Sequence, residues 1–374
     1  MSREKNCVIS KASAHTIKKF EVIEEYIKSW AQKLMLNDSC SGLIYIDCMC
    51  NSGIYSDDDG KIIKGTAVRV AEALLEVART YKDKNVSVFL NDKDAKRVDE
   101  LENHLPQNER NYQIVTTRLD AHELLNNIGP QLYGAGHLNY FLLYDPYDAT
   151  IDWEVLLPFF RNWGEVMINH MVSDPVRAIT SAKKKTTKAK YENTYLTDFE
   201  KLVPFGSNKD AYEARVEEII NSLKGSRRYY VSAFPFYNRQ NSLVYNLIHC
   251  TSNKEGFKLY KKCAWKVFGA QSSTKHSVGS RQLTLDLFEE ITEDEDESCL
   301  HIVDIAKYLQ LSFKGRKYVP LNEMWELLDN HPIFPSEGFR NEIKSDLTNI
   351  FGARIEQVIN PYTGMKETVI SFSS

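Results

Sequence analysis

Cysteine, the residue on which a disulfide frame or a zinc module would depend, occurs only seven times in 374 residues, at positions 7, 40, 48, 50, 250, 263 and 299. The count is odd, no CxxC pair is present and no histidine stands at ligand spacing, which argues against both. Long apolar runs are missing as well. No stretch of about 18 apolar residues exists to span a membrane, and the opening MSREKNCVISKASAHTIKKF lacks the apolar core of a secretory signal. A reducing, cytoplasmic setting without a membrane partner is therefore the expectation. Charge of one sign is not in excess either. The formal net charge is -4, so nothing draws the whole chain to a polyanion, and any nucleic-acid contact must come from local basic patches. Neither GxGxxG nor GxxxxGKS occurs, and no GxSxG follows a strand, so dehydrogenase, P-loop NTPase and serine-hydrolase readings lose their main support.

What remains is an ordinary globular composition, with 43% hydrophobic and 26% charged residues. The length exceeds the usual single core and favours one large unit with a small one. From Ala14 to Leu36, apolar residues at three- and four-residue spacing predict a long amphipathic helix. The apolar segments 43–48, 86–91, 112–117, 138–145 and 165–172 then alternate with helical patterns at 66–79, 94–104, 120–128 and 152–161. That alternation implies right-handed crossovers and a parallel sheet covered on both faces. Residues 173–206 are less regular, 209–223 read as helix, and 228–236 with 242–251 lie close enough to form an antiparallel hairpin at the sheet edge. The acidic run EEITEDEDE at 289–297 reads as a solvated linker. Beyond it, three helical segments (300–312, 320–330, 336–350) and a hairpin around Asn360 to Gly364 follow in winged-helix order. The expected fold class is thus α/β, a Rossmann-like seven-stranded methyltransferase sheet with an N-terminal helix and a C-terminal winged-helix-like domain. The expected boundaries are 1–285, a linker at 286–297, and 298–374.

Four motifs carry chemistry. Asp47-Cys48-Met49-Cys50-Asn51-Ser52-Gly53 stands where a methyltransferase glycine loop would pass close to its cofactor, a place that needs small residues and a carboxylate at the strand end. Asn51 and Gly53 occupy the glycine places, and Asn tolerates positive φ better than most residues. Asp92, after the second strand, can accept ribose hydroxyls, and Asp120, after the third, can receive an adenine amino group. Each aspartate alone is as readily a helix cap; their repetition at successive strand ends raises the odds. Asp145-Pro146-Tyr147-Asp148 ends the most apolar strand and is similar to the [DNS]-P-P-[YF] motif of amino-group methyltransferases, with one proline instead of two. There Asp145 and the Pro146 carbonyl would orient an amine toward the methyl donor while Tyr147 stacks on a base. Lys183, Lys184, Lys185 and Lys188 form the one concentrated basic stretch, either a solvated loop or a phosphate contact.

The chain resembles the three-Cys-motif partner protein family. The shared features are His15-Thr16-Ile17-Lys18 with Tyr26 and Trp30, Tyr45-Ile46-Asp47 with Gly53, Lys64-Gly65-Thr66-Ala67, Asp145-Pro146-Tyr147 and Leu243-Val244-Tyr245-Asn246-Leu247-Ile248. They extend through most of residues 13–270. The resemblance implies a methyltransferase-like fold, S-adenosylmethionine as cofactor and a radical-SAM three-Cys-motif protein as partner in a phage-related or defence setting; the residues that the motifs place to hold that cofactor are Asp47, Cys48, Asn51, Gly53, Asp92 and Asp120. Family members usually carry Asp-x-Phe-Ala-Gly-x-Gly at the first loop, where this chain has Met49, Cys50 and Asn51.

Two functions follow. One is a methyltransferase acting on nucleic acid, with Asp145, Pro146 and Tyr147 presenting the acceptor. The other is a catalytically silent adaptor for the radical-SAM partner. His15 and Lys18 read as a helix cap and a snorkelling lysine beside the same mouth. Residues 298–374 hold eight Lys or Arg against nine Asp or Glu, a balance of -1, so a protein contact suits this unit at least as well as DNA.

Overall fold

Every residue of Gly42–Asp47 is buried, as a strand in the middle of a parallel sheet covered on both faces requires. The computed structural model describes residues 8–134, 138–146, 150–160, 164–171, 184–202, 215–216, 218–222, 229–275, 299–359 and 364–373. In it this strand, β1, pairs in parallel with β2 (Asn85–Asn91) on one side and β4 (Leu138–Tyr144) on the other. The strand β3 (Tyr112–Thr117) extends the sheet beyond β2, and β5 (Gly164–Met171) extends it beyond β4. The edge is an antiparallel pair: β7 (Leu243–Thr251) runs against β5, and β6 (Tyr230–Tyr237) against β7. The result is a mixed α/β architecture with a mostly parallel seven-stranded sheet of order β3-β2-β1-β4-β5-β7-β6. From β1 the chain moves outward to β2 and β3 and then returns to β4 on β1's other side. The place above the C-terminal ends of β1 and β4 is therefore the switch point of the strand order, where open α/β sheets take their ligands.

One face of the sheet is covered by the helices Ala14–Met35, Thr66–Thr80 and Lys254–Phe268. The first turns Val22, Ile23, Tyr26, Ile27 and Trp30 inward; each such side chain contributes roughly 1.5–3 kcal/mol on burial. Ala121–Gly134, Trp153–Leu156 and Lys185–Tyr195 cover the other face.

Several expectations need correction. The helix expected at 152–161 is, in its described part to residue 160, one α turn, Trp153–Leu156, followed by a 3-10 turn at Leu157–Phe159, because Pro158 has no N–H with which to continue the helix. The helix expected at 120–128 runs from Ala121 to Gly134. The basic stretch is not an irregular loop where it is described: Lys185 and Lys188 lie on the helix Lys185–Tyr195. The helix Lys254–Phe268, capped by the Asn253 side chain on the Glu255 N–H, was not expected after the last strand. Nor was a small sheet in which Ser10–Lys11 pairs with Ile54–Ser56, itself paired with Ile62–Lys64. The acidic run at 289–297 lies outside the described residues.

Past that run, the helices Ile302–Ser312, Leu321–Asn330 and Arg340–Asn349 pack with a three-stranded antiparallel sheet, in which Lys366–Ser371 lies between Val319–Pro320 and Arg354–Ile359. Their apolar residues are continuous with the core on the first face of the large sheet. Trp265 anchors the junction. Its ring meets Phe334 and Phe339, and its indole N–H donates to the Ile333 carbonyl at 3.0 Å. Beside it, the fully buried Lys261 donates to the carbonyls of Leu328 (2.8 Å) and His331 (2.6 Å), satisfying the C-terminal end of Leu321–Asn330. Burial pushes the Lys261 ammonium down to about 7.

Candidate active site at the β1 and β4 rim

The loop after β1 is laced to the strands on both sides. The Cys48 N–H donates to the Leu143 carbonyl at 3.2 Å, and the Cys50 N–H to the Asn91 carbonyl at 2.7 Å. Asn91 binds the next loops together: its Nδ2 donates to the carbonyls of Cys48 and Leu119, and its Oδ1 accepts from the Thr117 hydroxyl and the Leu119 N–H. Asn51 takes a φ of 57° and Gly53 one of 70°, so the asparagine does adopt the left-handed conformation that the shortage of glycine demanded. A Cβ at Gly53 would stand 2.3 Å from Leu101 Cδ1 and 2.8 Å from Val68 Cγ2. That glycine is required by packing against the neighbouring helices. Gly53→Ala is expected to lose about 2–4 kcal/mol from overpacking and backbone strain together, measurable by urea denaturation.

The carboxylates occupy distinct places. Asp47, at the end of β1, is 2% exposed, and its Oδ1 accepts the Met49 N–H at 3.1 Å. Burial pushes this carboxyl up to about 8; the Met49 N–H opposes the shift, and the nearby charges of Asp145 and Asp92 add to it. Asp92 is buried too: Oδ2 accepts the Asn51 N–H at 3.1 Å, Oδ1 accepts the Asp94 N–H at 2.9 Å, and Arg97 stands 3.9 Å away. Asp120 is exposed, and its Oδ1 accepts the His122 N–H at 3.0 Å in the manner of a helix cap. Asp145 lies beyond β4, two residues after the residue that pairs with Asp47. Both its oxygens are engaged: Lys19 Nζ donates to Oδ2 at 2.6 Å and Asn169 Nδ2 to Oδ1 at 2.6 Å.

The structure thus brings Asp47, Asp92 and Asp145 to one rim of the sheet and leaves Asp120 at a helix start. Cys48 sits in the core beneath the rim, and burial pushes its thiol up. Pro146 is buried, while Tyr147 and Lys183 lie outside the described residues. Lys184 and Lys185 are exposed, whereas Lys188 leans over the Phe199 ring at 4.7 Å and faces Glu200 at 3.5 Å.

Four further residues belong to this rim, and sequence reasoning did not single them out for it. Lys19, from the first helix, lies 5.1 Å from the Tyr245 ring centre as well as on Asp145. Asn169 comes from β5. The Tyr45 hydroxyl is buried without a hydrogen-bond partner, and burial raises its phenol, as do the charges of Asp47 and Asp145. Burial likewise raises the Tyr55 phenol, with Asp145 and Asp47 adding to the shift. One signal was available: Lys19 stands three, four and seven residues before Val22, Ile23 and Tyr26, on the stripe where an apolar residue belongs. Lys18, considered instead, is half-buried, pairs with Glu21 at 2.7 Å and donates to the Val267 carbonyl at 3.3 Å.

An open depression of about 330 Å³ lies at the other end of the strands, lined by Ile44, Ser87, Arg110 and Gln113 among others, and contains no carboxylate. Among the described residues no group of His, Cys, Asp and Glu is arranged to hold a metal ion. No described helix is long and apolar enough to cross a membrane.

No family model matches the sequence. No curated protein matches it either. Among solved structures, the chain is similar to a candidate caffeoyl-CoA O-methyltransferase from Staphylococcus aureus, with 12% identity over 60% of this chain and 82% of that one and a TM-score of 0.27. It is also similar to a loganic acid methyltransferase with SAH, with 10% identity over 68% of this chain and 83% of that one and a TM-score of 0.28. Likenesses this slight add no weight to the strand order itself.

Proposed function

We propose that this chain is a methyltransferase-like protein that takes S-adenosylmethionine at the switch point between β1 and β4 and acts on nucleic acid. The observation that carries this reading is the convergence of Asp47, Asp92 and Asp145 on one rim of neighbouring strands. The buried carboxyl groups of Asp47 and Asp92 and the half-buried one of Asp145 suit a cationic sulfonium ligand, and the unpartnered Tyr45 hydroxyl and Asn169 Oδ1 are polar atoms left for a ligand to satisfy. Asp47 and the loop through Cys48, Asn51 and Gly53 would hold the cofactor's middle, Asp92 its ribose and Asp120 its base; bound there, the cofactor supplies an electrophilic methyl group. Pro146 and Tyr147 would place the acceptor, and Lys183, Lys184, Lys185 and Lys188 would meet phosphates. We read the C-terminal segment, with its three helices and strand pair, as a winged-helix-like unit that would suit nucleic acid or protein contact.

One observation favours a second reading. Both Asp145 oxygens are already engaged by Lys19 and Asn169, which disfavours Asp145 as an acceptor for a substrate amine. An adaptor that keeps the fold as a platform for a radical-SAM three-Cys-motif protein, as the family resemblance implies, is consistent with that engagement. Calorimetric titration of the full chain with S-adenosylmethionine separates the two. The methyltransferase reading expects binding that weakens at least tenfold in Asp47→Ala. A folded chain that takes up no ligand overturns it, and co-purification with the radical-SAM protein then tests the adaptor.

A further inference from the structure

Lys19 is an unusual residue for its position. A lysine on the buried stripe of an amphipathic helix must find a counter-charge, and Asp145, 126 residues away, provides it at 2.6 Å. An ammonium has three N–H donors, and among the described residues Asp145 is the one acceptor it meets, beside the face of Tyr245. Asn169 is its complement. Its Nδ2 is committed to Asp145 Oδ1, which fixes the amide orientation, since the flipped amide would set oxygen against carboxylate. The Oδ1 that remains is buried and has no partner, in a residue only 3% exposed. The Tyr45 hydroxyl, near enough to Asp47 and Asp145 for their charges to act on it, has none either.

Unused donors and an unused acceptor therefore stand beside a pair of opposite charges. A simple anion would be repelled by Asp145, and a simple cation by Lys19. A group with both charges on adjacent carbons meets neither objection, and the α-amino acid end of a nucleoside thioether is such a group. We infer that Lys19 and Asn169, both held in place by Asp145, form a receptor for a zwitterionic α-amino acid group, with Lys19 taking the carboxylate and Asn169 Oδ1 taking the ammonium. This rests on the cofactor reading above and extends it: the site selects ligands by their amino acid tail, and Lys19 and Asn169 are the residues that do so.

The test compares S-adenosylhomocysteine with methylthioadenosine, which keeps the nucleoside and the thioether but lacks the amino acid. Charge-assisted hydrogen bonds of this kind correspond to roughly tenfold to hundredfold in affinity each. Calorimetry on the full wild-type chain is expected to show S-adenosylhomocysteine binding at least about a hundredfold tighter. Lys19→Gln and Asn169→Ala should each weaken it about tenfold or more while leaving methylthioadenosine within twofold, which also shows that the variants are folded. If both nucleosides bind the wild type equally, or if the variants lose both together, the receptor is overturned and the cofactor reading stands. If neither binds the wild type, the cofactor reading fails and the receptor fails with it.

Discussion

Glu165→Ala is expected to lose about 3–5 kcal/mol of folding stability, the range for removing one partner from a buried charged network. Glu165 stands at the start of β5, at the opposite end of the sheet from the rim. The Tyr26 hydroxyl donates to its Oε2, and His249 Nε2 lies 2.8 Å from the same oxygen, with all three residues buried. Gly256 makes room for it, because a Cβ there would stand 2.6 Å from Oε1. Alanine would strand the Tyr26 hydroxyl and the His249 ring N–H in an apolar core, beside a His249 Nδ1 that already lacks a partner. Glu165→Gln keeps an acceptor oxygen and should cost distinctly less. Urea unfolding at neutral pH measures both, and equal losses for the two variants would show that shape matters there and hydrogen bonding does not.

Ligand affinity is expected to rise with pH, by up to about tenfold per unit below pH 8. The cause is Asp47, whose carboxyl burial pushes up to about 8 from an ordinary 3.8. At pH 7 the ligand-free chain therefore holds this proton. A sulfonium or ammonium beside Asp47 favours the ionised form, so binding must expel the proton, and it does so more readily as pH climbs toward 8. Above that value the dependence flattens. The same shift bears on stability in the opposite sense. The folded carboxyl retains a proton that the unfolded chain releases, so Asp47 contributes stability fully present below about 3.8 and lost as pH rises through about 8. Calorimetry in buffers of different ionisation enthalpy reads the released proton directly. It should vanish in Asp47→Asn, and its persistence there would assign the titration to another group.

The centre of the sheet was legible because burial on both faces writes a strand as a short apolar block, as in β1, whereas the edge strand β3 buries only Tyr112. The N-terminal helix was legible from its period. The helix Lys254–Phe268 carries Phe257, Tyr260, Ala264 and Phe268 on its buried side, a spacing that was readable but obscured by placing the end of the unit at the last strand. Lys185–Tyr195 buries only Tyr191, Thr194 and Tyr195, too few to impose a period on a lysine-rich segment. Strands of two or three residues, such as Ser10–Lys11 and Ile54–Ser56, are shorter than any alternation can reveal. At the rim, Asp47, Asp92 and Asp145 could be placed because a strand's end locates the residue that follows it. Lys19 left one sign, a charge on an apolar stripe, but its partner is distant in sequence, and Asn169 left none, since what makes it notable is an oxygen without a partner.

The side chains of Trp265 and Lys261 impose a practical constraint on anyone dissecting this molecule. A truncation before Ile302 would wet the indole and leave the Lys261 ammonium facing no carbonyl oxygen, while the released fragment would present the bare underside of Leu321–Asn330. Poor yield or aggregation of either half would then report a torn seam and would say nothing about recognition. Point substitutions on the outward surfaces, made in the intact polypeptide, are the cleaner instrument.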